Sequence, residues 1–340
     1  MHTPIDVRSD TVTRPSNAMK NAMLQAELGD DVYEDDPTVN ELQAKAADLT
    51  GKEAALFVAS GTMSNAIALR CHTTPGDEVL LDGEAHSMLY EVGLPAVIAQ
   101  VLTRQFRSNQ GIPDVDDIQN SIHMETLHNP GTRLLILENT HNRAGGTVIP
   151  LDVMQHLYKI CKTNHLGVHL DGARIFNAAV ATKISVSEYA KNTDTITFCL
   201  SKGLGCPVGS LLCGPAEWIS RARRVRKMLG GGMRQVGMLA AAGIYALEHN
   251  IERLADDHRR ATQIAQSMEG MKNTVPDSFH PPTNMVYINT REPALQLSQQ
   301  LAERGILCNP TGSHRLRIVT HLDVDDEDTA QIISVLQEIN

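Results

Sequence analysis

The sequence predicts an α/β protein, with a large domain built on a mostly parallel sheet and a small α+β domain after it. Three observations carry that expectation. Through the middle of the 340-residue chain, short apolar runs alternate with helical patterns, as in strand–helix units around a parallel sheet. Several of these runs are apolar throughout rather than alternating, which suits strands covered by helices on both faces. Beyond about Met238 the pattern changes to long helices rich in Ala, Leu, Glu and Arg, followed by shorter strands and helices. The length accommodates both domains, at roughly 100–200 residues for each.

Taken in order, residues 1–40 are polar and punctuated by Pro15, Gly29 and Pro37, and are expected to form an extended arm belonging to neither core. Residues 41–250 form the expected large domain. Its strands are expected at Ala54–Ala59, Glu78–Asp82, Ala96–Thr103, Arg133–Asn139, Gly167–Asp171, Thr195–Leu200 and Val208–Cys213. Leu151–Thr163 is expected as a helix opened by Pro150. Pro215–Leu229 is another, with proline at its first position, where the missing N–H costs nothing. Two long helices then run from Met238 to about Met271, broken near His249 and Asn250. A strand at Asn284–Thr290, a helix at Ala294–Arg304, a strand at Arg315–Thr320 and a helix at Asp325–Ile339 complete residues 251–340 as the small domain. No Gly/Ser linker intervenes, so the boundary is expected within the long helices.

Composition excludes several function classes. A formal net charge of −10 and a pI near 5.8 remove the electrostatic basis for binding nucleic acid or an anionic membrane. No stretch approaches the roughly 18 apolar residues that span a bilayer. The N-terminal Met1–Asp6 lacks the basic-then-apolar pattern of a secretory leader. The six cysteines are scattered without a C-x-x-C pair, so buried free thiols are expected and no zinc site. A cytoplasmic, metal-free protein is the resulting expectation.

The chemistry starts at Lys202, one of only ten lysines. It follows the apolar run Thr195–Leu200 and precedes Gly203-Leu-Gly205-Cys-Pro-Val-Gly209, at the exit of a buried strand among residues of little bulk. Desolvation there favours the neutral amine, the form that attacks an aldehyde. A lysine snorkelling to solvent from a glycine loop fits the same pattern. Asp171 ends the apolar run Gly167–Asp171, the position of a ligand-binding residue at the carboxyl end of an α/β strand. Strand-end aspartates also cap helices. Together, an amine and a carboxylate one strand unit apart suit the two ends of pyridoxal phosphate, whose ring nitrogen must stay protonated for it to act as an electron sink. Ser60-Gly61-Thr62 lies between a strand and an Ala/Leu-rich helix, where backbone N–H groups and hydroxyls form an anion site fit for a phosphate monoester; ordinary N-capping is the alternative. There is no P-loop lysine, and the Gly203–Gly209 spacing is wrong for a dinucleotide fingerprint.

Several motifs make the pattern specific. They are Val7-Arg-Ser9-Asp10-Thr-Val-Thr-Arg14-Pro15, Gly29-Asp-Asp-Val-Tyr33, Asp35-Asp-Pro37-Thr38, His169-Leu-Asp171-Gly-Ala-Arg174-Ile-Phe-Asn177, Leu200-Ser-Lys202-Gly-Leu-Gly205, Gly230-Gly-Gly-Met-Arg234-Gln235 and Arg317-Ile-Val-Thr-His321-Leu-Asp323. In order and without large gaps from about residue 5 to the C-terminus, they resemble the low-specificity L-threonine aldolases, which are fold-type-I pyridoxal-phosphate enzymes. The resemblance implies that Lys202 forms the Schiff base with the cofactor and that Asp171 partners its ring nitrogen. It implies that His86 stacks on the ring and is a candidate base, with His128 a second active-site histidine. Gly61 and Thr62, beside Ser60, match the phosphate loop, and Arg234 matches an arginine that reaches a neighbouring subunit's phosphate. Ser9, Arg174 and Arg317 match groups that hold the substrate carboxylate, a task suited to the planar arginine fork. Arg174 is implied to contact the cofactor as well, Tyr33 falls in a loop that crosses a subunit interface to bind substrate, and a homotetramer with shared sites is implied. Met63 and Glu34 depart from residues common in the family (Gln and Gly), which bears on the phosphate loop, the interface loop and substrate preference.

Retro-aldol cleavage of L-threonine or L-allo-threonine to glycine and acetaldehyde is thus the expected reaction, with His86, His128 or a water as base. β-Elimination or racemisation would use the same lysine, and a scaffold without cofactor is the non-enzymatic alternative. Three further features are expected to be structural. The acidic cluster Asp30, Asp31, Glu34, Asp35 and Asp36 lacks calcium-loop spacing and suits a solvated or interface loop. The basic run Arg221–Lys227 suits phosphate neutralisation or subunit contacts. His141, after a buried strand, is expected to point toward the site, as a structural hydrogen bond or a cofactor contact.

Overall fold

The computed structural model describes residues 4–339. Met1–Thr3, which open the expected arm and the segment expected to lack a leader pattern, and Asn340 lie outside them. The first strand, β1 (Ile5–Asp6), is followed by β2 (Ala54–Val58), β3 (Glu78–Asp82) and β4 (Leu102–Phe106). A small hairpin of β5 (Ser108–Asn109) and β6 (Ile112–Pro113) precedes β7 (Thr132–Glu138), β8 (Gly167–Asp171), β9 (Thr195–Cys199) and β10 (Ser210–Gly214). The principal sheet has the order β2-β10-β9-β8-β7-β3-β4; β10 runs antiparallel to both its neighbours, and β4, β3, β7, β8 and β9 run parallel. Strands β3, β9 and β10 are buried at every residue, which is why the centres of β3 and β10 are apolar without alternation, while the buried Thr195 and Thr197 of β9 are hydrogen-bonded.

The expected strand at Ala96–Thr103 is corrected. Pro95–Ala99 is a turn of π-helix, ended by Gln100 at φ +59°, and β4 begins only at Leu102. The apolar run is real but serves packing: Leu94, Ala99 and Val101 bury against the sheet, whereas β4 itself is an edge strand with mostly exposed side chains. Pro150 and Pro215 sit one place before their helices, Leu151–Thr163 and Ala216–Met228, as N-caps.

The second sheet has the order β11-β12-β15-β14, all antiparallel, from β11 (Thr274–Pro276), β12 (Met285–Thr290), β14 (Asn309–Gly312) and β15 (Arg315–Val319). Helices Leu254–Ser267, Ala294–Glu303 and Asp326–Ile339 carry amphipathic faces onto it. The short β13 (Ile306–Leu307) pairs in parallel with β1. The arm therefore does not lie outside both cores. Ile5 and Val7 are buried in the second apolar cluster, and Met19 from helix Asn17–Leu24 is buried in the first. Polar composition hid this, because a few apolar residues suffice to anchor a strand whose remaining positions face solvent.

Candidate active site

The carboxyl ends of β3, β7 and β8 present Asp82, Glu138 and Asp171 at one side of the sheet, and the chain leaving β9 adds Lys202. Ligands of open α/β sheets bind at this side. Lys202 is half-buried in a turn held by Gly205 N–H donating to the Lys202 carbonyl (2.8 Å) and by Leu200 N–H donating to Gly209 (2.9 Å). Gly205 sits at φ +78°, and a Cβ there would come within 2.8 Å of the Leu322 side chain, so glycine is required. From the arm, Thr13 Oγ1 also donates to the Lys202 carbonyl (2.9 Å). The amine faces a cavity of about 480 Å³ whose walls include Ser9, His86, Tyr90, Arg174 and Arg317.

Asp171 is buried. Its Oδ1 accepts from Ala173 N–H (3.1 Å), so it does help cap the turn that follows, and its Oδ2 accepts from Asn65 Nδ2 (2.9 Å). Burial opposes ionisation, but His86, Lys202, the Asn65 amide and His169 outweigh it and hold the carboxyl below the usual range. Asn65 was not legible as a site residue. Because its Nδ2 faces carboxyl groups, its Oδ1 accepts from His169 Nε2 (3.3 Å). His169 Nδ1 then accepts from the Thr195 hydroxyl (2.9 Å), which in turn accepts from His72 Nε2 (2.8 Å). Burial pushes His169 down to about 4 and His72 to about 3, so both rings are neutral at pH 7. Every donor in this row points toward Asp171, and such aligned chains reinforce one another in a low dielectric.

Ser60 N-caps helix Gly61–His72, its Oγ accepting from Met63 N–H (3.1 Å). The N–H groups of Gly61 and Thr62 precede the first intrahelical bond and are positioned for an anion. A Cβ on Gly61 would lie 2.9 Å from Cys199 Sγ, so the helix start packs directly against the end of β9. His86 is held by its backbone, its N–H donating to Glu138 Oε2 (2.6 Å), with Glu138 Oε1 accepting from Asn142 N–H (2.8 Å). The imidazole is about one-third exposed (32%), and its Nε2 lies 3.6 Å from Glu91 Oε1. Burial lowers its pKa, and Asp171 pulls the other way.

The two cavity arginines differ. Arg174 is buried, with Nε and Nη2 donating to Asp10 (2.7 and 2.6 Å), so one edge of its fork is already taken by a carboxylate. Arg317, on β15, donates to Asn142 Oδ1 (3.0 Å) and to the Arg8 carbonyl (2.9 Å). Its Nε has no partner, and no carboxylate pairs with it among the described residues. Ser9 caps the turn Asp10–Val12 through its hydroxyl.

Three predicted residues are not brought to this cavity by their own chain. His128 is exposed in the loop leading into β7, at the opposite end of the strands from Asp171. Tyr33 is exposed (72%), and Arg234 is half-exposed and paired with Asp30 Oδ2 (2.8 Å). His141 is buried beside Asp82 (3.5 Å) and accepts from Ala144 N–H, a structural arrangement. The acidic cluster and the basic run answer one another. Arg226 is buried and donates to Asp31 Oδ2 (2.6 Å), Arg223 reaches Asp31 and Glu34, and Asp36 caps helix Pro37–Thr50. The expected solvated or interface loop is therefore also locked into its own chain.

The residues fit pyridoxal phosphate. An amine and a carboxylate-free arginine line one cavity, an ionised buried carboxylate and a helix start with free N–H groups lie at the same carboxyl side of the sheet, and each matches a chemical need of that cofactor or of an amino acid bound to it. The family described as beta-eliminating lyase matches residues 6–291. A low-specificity L-threonine aldolase of Escherichia coli K12 is 45% identical over 330 residues, spanning 96% of this chain and 97% of that protein. Low-specificity L-threonine aldolase 1 of Arabidopsis thaliana is 40% identical, spanning 98% and 96%. Among solved structures, Leishmania major threonine aldolase superposes with a TM-score of 0.83 at 18% identity, covering 99% of each chain. The expected fold-type-I architecture is the one found, and with that fold, these relatives and this family match, the chain belongs to the beta-eliminating lyase family, on its low-specificity L-threonine aldolase branch.

Proposed function

We propose that the protein is a pyridoxal-phosphate-dependent aldolase that cleaves L-threonine and L-allo-threonine to glycine and acetaldehyde. The carrying observation is the shared cavity in which the Lys202 amine, the His86 imidazole and the unpaired Arg317 guanidinium meet. When bound, the cofactor supplies the electron sink for the electrons of the broken Cα–Cβ bond. Lys202 would hold it, Asp171 would partner its ring nitrogen, and Gly61 and Thr62, with Ser60 shaping their turn, would take its phosphate. Arg317 grips the substrate carboxylate with Ser9 nearby. Arg174, tied to Asp10, keeps only its remaining nitrogen for cofactor or substrate. This grip would fix the orientation of the substrate at Cα, and so select cleavage over racemisation. His86 is the base within the chain's own cavity, placed to take the β-hydroxyl proton, a contribution of roughly 10²–10⁴-fold for general bases.

The active species is a cytoplasmic homotetramer with sites at subunit interfaces. Exposure of Tyr33, Arg234 and His128 away from their own cavity supports a role for them at a neighbouring copy's site. Six free cysteines suit a reducing compartment. No helix of the described residues is long and apolar enough to cross a membrane. The test is acetaldehyde release from all four threonine stereoisomers, with Lys202→Ala as control. Release from the L-isomers that Lys202→Ala abolishes is expected. Pyruvate or D-amino-acid formation without acetaldehyde would overturn the assignment.

A further inference from the structure

Glu91 has no place in the scheme above, yet its side chain is fully buried beside the site. It lies just beyond the short helix His86–Leu89. The groups facing it are Thr62 and Asn65 from helix Gly61–His72, His86 from its own segment, Asp171 from β8 and Lys202 from the turn after β9. Its Oε1 accepts from Asn65 Nδ2 (3.0 Å), and the same nitrogen donates its second hydrogen to Asp171 Oδ2 (2.9 Å). Two buried carboxyls thus share one amide. Like charges so arranged do not both ionise; one keeps its proton. Asp171 also receives the Ala173 N–H and lies at the end of the donor row from His72, so the charge settles there. Glu91 Oε2 is buried with no hydrogen-bond partner, a costly state for a carboxylate oxygen and a tolerable one for an acid O–H.

We propose that Glu91 is a positioning residue that rests as a neutral carboxylic acid, with its Oε1 3.6 Å from His86 Nε2, and so leaves the imidazole uncharged to accept a proton. Burial first, then the Asp171 charge, push the Glu91 carboxyl up to about 8, in keeping with this geometry. Ionised Glu91 would place a second negative charge beside Asp171 and draw His86 toward imidazolium, which is no longer a base. The assignment of a base role to His86 rests on the aldolase reading; the protonation of Glu91 does not.

Glu91→Gln mimics the neutral acid in shape and keeps an acceptor for Asn65. In the holoenzyme, we expect Glu91→Gln to retain kcat within about threefold at neutral pH and to lose the activity decline above about pH 8, whereas Glu91→Ala loses tenfold or more. A readout independent of turnover is thermal unfolding against pH. A carboxyl raised in the folded state stabilises it fully below the unfolded pKa and progressively less as pH rises through the folded one. The Tm of the wild type should therefore fall relative to Glu91→Gln between pH 5 and 9. Infrared difference spectra should hold a protonated-carboxyl stretch at pH 7 that Glu91→Gln lacks. A Tm offset constant with pH, or absence of that stretch, overturns the protonated state. A widening offset together with an unchanged pH–rate profile overturns the role toward His86. If acetaldehyde release itself is absent while the offset widens, the aldolase reading fails and the Glu91 proton stands.

Discussion

Arg317 offers the sharpest test of how substrate is held. Its guanidinium is anchored by two neutral acceptors, Asn142 Oδ1 and the Arg8 carbonyl, and opposes no carboxylate among the described residues. Unlike Arg174, it therefore has charge and hydrogen-bonding capacity to spend on a ligand. Replacing it with alanine removes up to two charge-assisted hydrogen bonds to a carboxylate, each worth about 1.5–3 kcal/mol. Half-burial and re-solvation reduce the sum, leaving about 3 kcal/mol, or roughly 150-fold in kcat/KM. Arg317→Lys keeps the charge but not the fork and should lose roughly tenfold. Because no buried carboxylate loses its partner, both variants should fold with near-native Tm. The assay is acetaldehyde release across substrate concentrations, with exchange of the α-proton measured alongside. KM should rise, and exchange should gain relative to cleavage as orientation at Cα loosens. A kcat/KM within threefold of wild type for Arg317→Ala, with an unaltered ratio of exchange to cleavage, refutes the carboxylate grip.

The remaining predictions concern stability. Arg226→Met leaves the buried Asp31 with only Arg223, 3.6 Å away, and should destabilise the protein by about 3 kcal/mol, read as a lowered denaturation midpoint; adding Asp31→Asn should recover part of the loss. If Arg226→Met alone leaves the midpoint unchanged, the pair contributes nothing to folding. Acidification should weaken the fold before the carboxylates titrate. His169 and His72 have folded pKa values near 4 and 3, below the ordinary histidine value of 6.5, so the unfolded chain binds more protons across that window. Stability is thus fully present above pH 6.5 and should decline as pH falls toward 4 and then 3, and urea midpoints that stay flat from pH 7 to 4 would contradict this.

Legibility divided along sequence distance. Lys202 and Asp171 stood out because their chemistry is announced by immediate neighbours, an apolar strand on one side and small residues on the other. Asn65, Glu91, Glu138 and Asp10 did not. Asn65 reaches Asp171 across 106 positions, and Asp10 reaches Arg174 across 164. Glu138 ends β7 as Asp171 ends β8, so its strand-end position carries the same local signal. The acidic loop read as solvated or interfacial and the basic helix as neutralising phosphate or contacting a subunit, because Asp31 and Arg226, which pair, are 195 positions apart. Arg174 matched a substrate-binding arginine by resemblance, and only its pairing with Asp10 revealed that part of its capacity is already engaged.

By itself, then, the sequence determined the alternation of strands and helices, the strand-end amine and carboxylate, and the branch of enzymes they belong to. These follow from local rules: side-chain periodicity, backbone freedom at glycine, and residue types next to one another in the chain. Tertiary structure decided which charges neutralise one another, which arginine stays open to a ligand, which histidine enters the cavity, and which of two buried carboxyls keeps its proton. Those outcomes depend on desolvation and on distances of a few ångströms between groups far apart in sequence, and they exist only once the chain has packed.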